Sequence, residues 1–143
     1  MNLTLKTYLD KLKKNELSAW EVCKHYLQKA KEKNQTLNAF TTFHEDYIEK
    51  NWDQLSNKDR AGVPVGIKDI INTKWYETEA CSKILKGYKS PYSATCFSKR
   101  EEMGACMFGK TNTDEFAMGW SSEYSCHGPT KNPHDHTRVA WGS

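Results

Sequence analysis

The sequence predicts an α/β fold in which a helical layer precedes a sheet. Three observations carry this. Apolar residues recur at helical spacing through the first part of the chain. A β-branched run, Val63-Pro-Val-Gly-Ile-Lys-Asp-Ile-Ile71, then breaks that period. A helix signal and a second short apolar run follow it, and strand, helix, strand in that order specifies a parallel crossover.

Taken in order, the first helix carries Leu5, Tyr8, Leu9 and Leu12, with Thr4 as its N-cap and Asn15 as its interruption. Ser18-Ala-Trp-Glu21 has the capping-box form and opens a second helix to about Lys33. Its apolar stripe is Val22, Cys23, Tyr26, Leu27 and Ala30. Thr42-Phe-His-Glu45 has the same form and predicts a third helix carrying Tyr47 and Ile48. Residues 1–60 thus read as a helical segment, with polar residues 50–60 linking it to a second segment, 61–143. In that segment 63–71 reads as a buried strand and 82–85 as a helical turn. Residues 94–103 read as a helix capped by Ser93 and stopped at Gly104, and 105–108 as a strand. Thr113-Asp-Glu-Phe116 predicts a further short helix, after which Gly, Ser, Asn and Pro dominate.

Composition narrows the function classes. A chain of 143 residues suits one domain or a piece of a larger one. Lys plus Arg number 21 against 18 Asp plus Glu, and a net charge of +3 is too balanced for a protein that coats nucleic acid. Aromatic residues at 12% argue against disorder, although 27% of the chain is charged. No apolar run approaches the roughly 20 residues that span a bilayer, and no signal-peptide h-region is seen, so a membrane role is not expected. The five cysteines are odd in number and contain no C-x-x-C pair, which fits free thiols in a reducing compartment rather than a disulfide framework or zinc ribbon. Cys126-His127 and His134-x-His136 read as incidental loop residues, and no metal is expected.

Three features bear on chemistry. Lys68 lies in a strand otherwise built from Val, Ile, Gly and Pro. Side chains alternate across a strand, so Lys68 and Asp69 point to opposite faces, and a sheet covered on both faces desolvates at least one of them. A lysine taken out of water can act as a neutral base, or it can simply reach solvent or pair with a carboxylate. Next, Gly104-Ala-Cys-Met-Phe-Gly-Lys-Thr111 satisfies the phosphate-loop string G-x-x-x-x-G-K-[ST]. That loop needs a strand before its first glycine; here a helix precedes it, and the Ala-Cys-Met-Phe spacer suits a buried strand, so nucleotide binding is not expected. Finally, the loop from Gly119 to Ser125 and the terminal Gly142-Ser143 offer hydroxyls on flexible backbone, but no serine sits in the G-x-S-x-G nucleophile pattern.

Gly62-Val-Pro-Val-Gly-Ile-Lys-Asp69 resembles the lysine strand of the amidase signature family. Gly109-Lys-Thr-Asn-Thr-Asp-Glu-Phe-Ala-Met-Gly119 and Gly128-Pro-Thr-Lys-Asn-Pro133 resemble one branch of it, the A-type subunits of aspartyl/glutamyl-tRNA(Asn/Gln) amidotransferases. Ala80-Cys-Ser-Lys-Ile-Leu85, Pro91-Tyr-Ser-Ala-Thr95, Glu16-Leu-Ser18 and Leu37-Asn-Ala-Phe40 agree with that branch. The resemblance implies a mixed α/β amidase-signature sheet, truncated here, and a Ser-Ser-Lys mechanism. In it a neutral lysine deprotonates a bridging serine, which deprotonates the serine that attacks an amide carbonyl. Lys68 matches the lysine and Ser143 the bridging serine. The nucleophile is expected beyond this chain, which is then expected to be inactive alone. Met118, Gly119 and Ser121 match the substrate loop.

The implied substrate is glutamine, whose ammonia a partner subunit uses to amidate misacylated tRNA. The implied partners are B- and C-type subunits, with no cofactor in this subunit and with ATP and Mg used by the partner. The implied location is the bacterial cytoplasm or an organellar matrix. Trp75, Trp120 and Trp141 depart from the family pattern, standing where glycine, serine and glycine are usual. A general small-amide amidase and a non-catalytic interaction module are the alternative readings.

Overall fold

The computed structural model describes residues 3–141. Its elements are α1 (Leu5–Lys13), α2 (Ala19–Leu37), β1 (Phe40–Phe43), α3 (Glu45–Ser56), β2 (Val63–Lys68), α4 (Thr95–Glu102) and β3 (Ala105–Thr111). Short 3-10 turns lie at Lys83–Leu85 and Glu115–Ala117. The sheet order is β1-β3-β2. β2 and β3 are parallel, with α4 between them in the chain as the crossover, and β1 joins antiparallel on the other side of β3. The α/β class and the parallel pair therefore stand as predicted.

Local chemistry explains most boundaries. The Thr4 side chain accepts from Thr7 N while the Thr7 hydroxyl closes a capping box, and Ser18 accepts from Glu21 N to start α2. α2 runs beyond Lys33 to Leu37 and ends where Asn38 adopts left-handed backbone, at φ 53°. Asn34 then brackets the start of β1: its Nδ2 donates to Phe40 O at 2.9 Å and its Oδ1 accepts from Phe40 N at 2.7 Å.

Four expectations are corrected. Thr42 does not cap α3. It lies in β1, inside the stretch read as wholly helical, and α3 starts after His44 with no side-chain cap. Pairing with β3 outweighs the local capping option. Residues 50–56 belong to α3, so the expected linker shortens to the turn before β2. β2 ends at Lys68 rather than at residue 71, because the chain turns there: Asp69 N still donates to Thr111 O, but Ile71 N folds back to Lys68 O at 2.8 Å. Ser93 does not cap α4. Ala94 holds that position, and Ser93 Oγ accepts from Lys74 N instead.

One core joins the layers. Cys23 and Leu27 of α2, Tyr47, Ile48 and Leu55 of α3 and Phe97 of α4 pack with Ile67, Cys106, Met107 and Phe108 of the sheet. β3 is buried from Ala105 to Lys110, as a central strand covered on both faces must be. A smaller cluster of Tyr8, Ala19, Val22 and Ala61 seats α1, and the buried Tyr8 hydroxyl donates to Ala61 O at 2.6 Å. The phosphate-loop string lies along β3 itself, and a Cβ on Gly109 would sit 2.5 Å from Thr42 O, so glycine is there to let β1 approach.

Trp75 stands in left-handed backbone, at φ 68°, with 67% of its surface exposed. A non-glycine residue there costs about 1–2 kcal/mol, partly offset by the entropy glycine loses on folding. Trp75→Gly is expected to raise stability by roughly 0.5–1 kcal/mol, read as a higher urea midpoint at unchanged slope. An unchanged or lower midpoint would show that the Lys74–Trp75 cation–π contact outweighs the strain.

Candidate active site around Lys68

Lys68 is the last residue of β2 and is half-buried. Its register partner on β3 is Thr111. The two line a cavity of about 210 Å³ whose other walls include Ala39, Asn112, Ser122, Thr130 and Trp141. That is room for a small polar molecule rather than a drug-sized one.

Two polar residues just after β3, the half-buried Asn112 and the buried Asp114, build the walls. Asn112 Nδ2 donates to Asn38 O at 3.0 Å and Gly128 O at 2.9 Å, tying the end of α2 to the Gly/Pro-rich segment. Its Oδ1 accepts from Ser125 Oγ at 2.6 Å. Asp114 is fully buried and accepts from Ser122 N at 3.0 Å and Tyr124 N at 3.1 Å, so it organises loop 118–124. Gly119 is required by this arrangement, since a Cβ would lie 2.5 Å from the Asp114 carboxylate. Ser122 has left-handed backbone, at φ 58°. Its hydroxyl donates to Ser121 O at 2.6 Å and accepts from Thr130 N at 2.7 Å.

The opposite face of the sheet holds a second polar group. Asp69 is buried; its carboxylate accepts from Cys81 N at 2.9 Å and Glu79 N at 3.3 Å. Burial pushes its pKa up, against those two N–H groups and the nearby Lys110 charge. Lys110 has no exposed surface; its ammonium donates to Ile71 O at 2.6 Å and Thr78 Oγ1 at 3.0 Å. Burial pulls Lys110 down to about 8, against the opposing pull of Asp69. Cys81 is buried between Asp69 and Asn112 and pushed up to about 11, chiefly by burial, which makes it an inert thiol rather than a nucleophile.

The residues expected from sequence are not all brought together. Lys68 lines the cavity; Met118, Gly119 and Ser121 do not. Met118 is 73% exposed, and Ser121 Oγ donates to Glu123 Oε2 at 2.6 Å. Ser143 lies outside the described residues. The serine that faces Lys68's cavity is Ser122, one residue beyond the expected one. Ser122, Asn112, Asp114 and Lys110 were not picked out by sequence reasoning. The signal for Asn112 and Asp114 was their place directly after a buried strand, where a polar side chain must find backbone partners. Trp120 and Trp141 stack on each other, with ring centroids 6.4 Å apart and planes at 24°, and both are exposed. Among the described residues no cluster of three metal-ligating side chains occurs, and His127 lies 3.7 Å from Glu79 instead. No helix among them is long and apolar enough to cross a membrane.

Comparison with known proteins identifies the family. The family model described as Amidase matches residues 21–143. The A-type subunit of glutamyl-tRNA(Gln) amidotransferase from Thermoanaerobacter pseudethanolicus is 41% identical, over 99% of this chain and 30% of its own length. The solved structure of the A-type subunit of the same name from Thermotoga maritima superimposes with a TM-score of 0.81 at 32% identity, over 99% of this chain and 30% of that one. A structure described as a vestigial protein complex revealing the evolutionary origins of an s-triazine catabolic enzyme gives a TM-score of 0.91 at 27% identity, over 99% and 33%. The chain thus spans about a third of the length of the relatives it matches. On its family match over residues 21–143, and on relatives of the same kind along nearly all of its length, the chain belongs to the amidase family.

Proposed function

We propose that this chain is the N-terminal part of the glutamine-hydrolysing subunit of a tRNA-dependent amidotransferase. The observation that carries the reading is Lys68, a half-buried lysine at the end of the parallel β2–β3 pair, lining a small cavity. In this reading Lys68 is the base and Ser143 the relay hydroxyl. Met118, Gly119 and Ser121 belong to the loop that meets glutamine, and Asp114 holds that loop in place. A serine hydroxyl is a weak nucleophile and needs such a base within hydrogen-bond reach. The nucleophile and the remaining oxyanion donors come from the other two-thirds of the fold. The released ammonia serves a B-type partner that binds ATP, Mg and misacylated tRNA, with a C-type subunit completing the complex, in the cytoplasm or an organellar matrix.

The test joins this chain to the remaining two-thirds of the Thermoanaerobacter protein and follows ammonia release from glutamine. The joined protein is expected to hydrolyse glutamine, and residues 1–143 alone are expected to release none. Hydrolysis of simple aliphatic amides in preference to glutamine would overturn the reading in favour of a general amidase. Turnover by residues 1–143 alone would show a nucleophile within this chain.

A further inference from the structure

Cys23 and Cys106 meet in the core. Cys23 lies on the inward face of α2, Cys106 near the start of β3, and both are without exposed surface. Their sulfurs are 3.8 Å apart, in thiol–thiol hydrogen-bond contact, although 83 positions separate them in sequence. Neither residue belongs to the Lys68 cavity or to the Asp69–Lys110 group. The other three cysteines are placed differently: Cys81 is buried beside Asp69, Cys96 is exposed and Cys126 is partly exposed.

We propose that Cys23 and Cys106 form a fold-directed oxidation site, in which a peroxide converts the thiol pair to a disulfide that clamps α2 to β3. A disulfide has its sulfurs about 2.0 Å apart, so the pair must close by about 1.8 Å, which is a side-chain adjustment rather than a refolding. The chemistry balances. Cys23 gives up its proton and attacks one peroxide oxygen as thiolate, the O–O bond breaks, and the departing hydroxide takes up that proton as one water, leaving a sulfenic acid on Cys23. The Cys106 sulfur then attacks the sulfenic sulfur, the S–S bond forms, and the hydroxyl leaves with the Cys106 proton as a second water. Two thiols lose two electrons to one peroxide. The order of attack follows the environment. The thiol–thiol hydrogen bond draws the Cys23 pKa down against burial, whereas the same bond and burial push the Cys106 pKa up. Because both sulfurs are buried, the rate is set by local opening of α2 away from the sheet.

The fold, not the chain, must select this pair. In an unfolded chain closure favours short loops, as the three-halves power of length. Cys96 and Cys106 are 10 apart (106 − 96), so in the unfolded chain they should pair roughly twentyfold more readily than two residues 83 apart. The test treats residues 1–143 with hydrogen peroxide, natively and in urea, blocks the remaining thiols by alkylation, and maps linked peptides without reduction. Native protein is expected to give the Cys23–Cys106 link as its main product, and the urea-treated chain the Cys96–Cys106 link. The same native link should form in a Cys96→Ser/Cys126→Ser variant, which alters no buried cysteine. Absence of the Cys23–Cys106 link in native protein, equal yields of it in both conditions, or its loss in the double variant would each overturn the proposal.

Discussion

Replacing Lys68 by alanine in the joined protein is expected to lower glutamine hydrolysis by between about 10⁴- and 10⁶-fold. The range follows from how a relay works. A positioned general base alone is worth up to about 10⁴-fold, and removing one member of a serine-hydrolase set that acts as a unit can cost on the order of a millionfold. Lys68→Arg is expected to be as damaging as alanine, because a guanidinium keeps its proton at any working pH and cannot serve as base. That comparison separates catalysis from packing. If Lys68 merely filled space or paired with an acid, arginine would restore part of the activity. Thermal melts of all three proteins should agree to within a few degrees, since Lys68 is only half-buried at a strand end. A loss of less than tenfold in the alanine variant would remove Lys68 from the reaction.

The sequence carried the parallel pair because its period changes abruptly at Val63 and because Ala105-Cys-Met-Phe108 can only be comfortable between two covered faces. It hid β1. Phe40-Thr-Thr-Phe43 is short, and Thr42 with Glu45 mimics a helix start; only the approach of β3, over Gly109, turns it into a strand. The cavity was half legible. Lys68 stood out as a charge in an apolar run, and its companion Asp69 is the buried one of the two, as alternation across a sheet allows. Ser122 could not be told from Ser121, because the loop's register is set by the Asp114 carboxylate binding two N–H groups eight and ten residues on. Lys110 was concealed most thoroughly. It reads as the lysine of a phosphate-loop string, and only its partners, contributed by residues 71 and 78, show a cation enclosed in the core.

Lys110→Met is therefore expected to cost about 2 kcal/mol near neutral pH, because Ile71 O and Thr78 lose their donor and the buried Asp69 loses its neighbouring positive charge. The diagnostic effect is how that deficit changes with pH. Lys110 has its pKa pulled from 10.5 to about 8 in the folded chain, so the unfolded chain holds the proton more tightly. Unfolding then takes up a proton between those two values, and the lysine's contribution to stability rises with pH through that window. Below the window the folded chain bears the full cost of an enclosed ammonium; above it both states are neutral and the cost is gone. The methionine variant has no such gain. Its deficit relative to the parent should widen by about 2 kcal/mol between about pH 7.5 and about pH 9.5. Absolute stability is a poorer guide, because Cys81, pushed up to about 11, works the other way: stability is lost once the unfolded thiol ionises. That contribution is common to both proteins and cancels in the difference. Urea midpoints measured for the pair at several pH values across the window supply the test. A deficit that stays constant with pH would mean that Lys110 keeps its proton through the window, and that Asp69 and the two oxygen acceptors fully offset the burial of its charge.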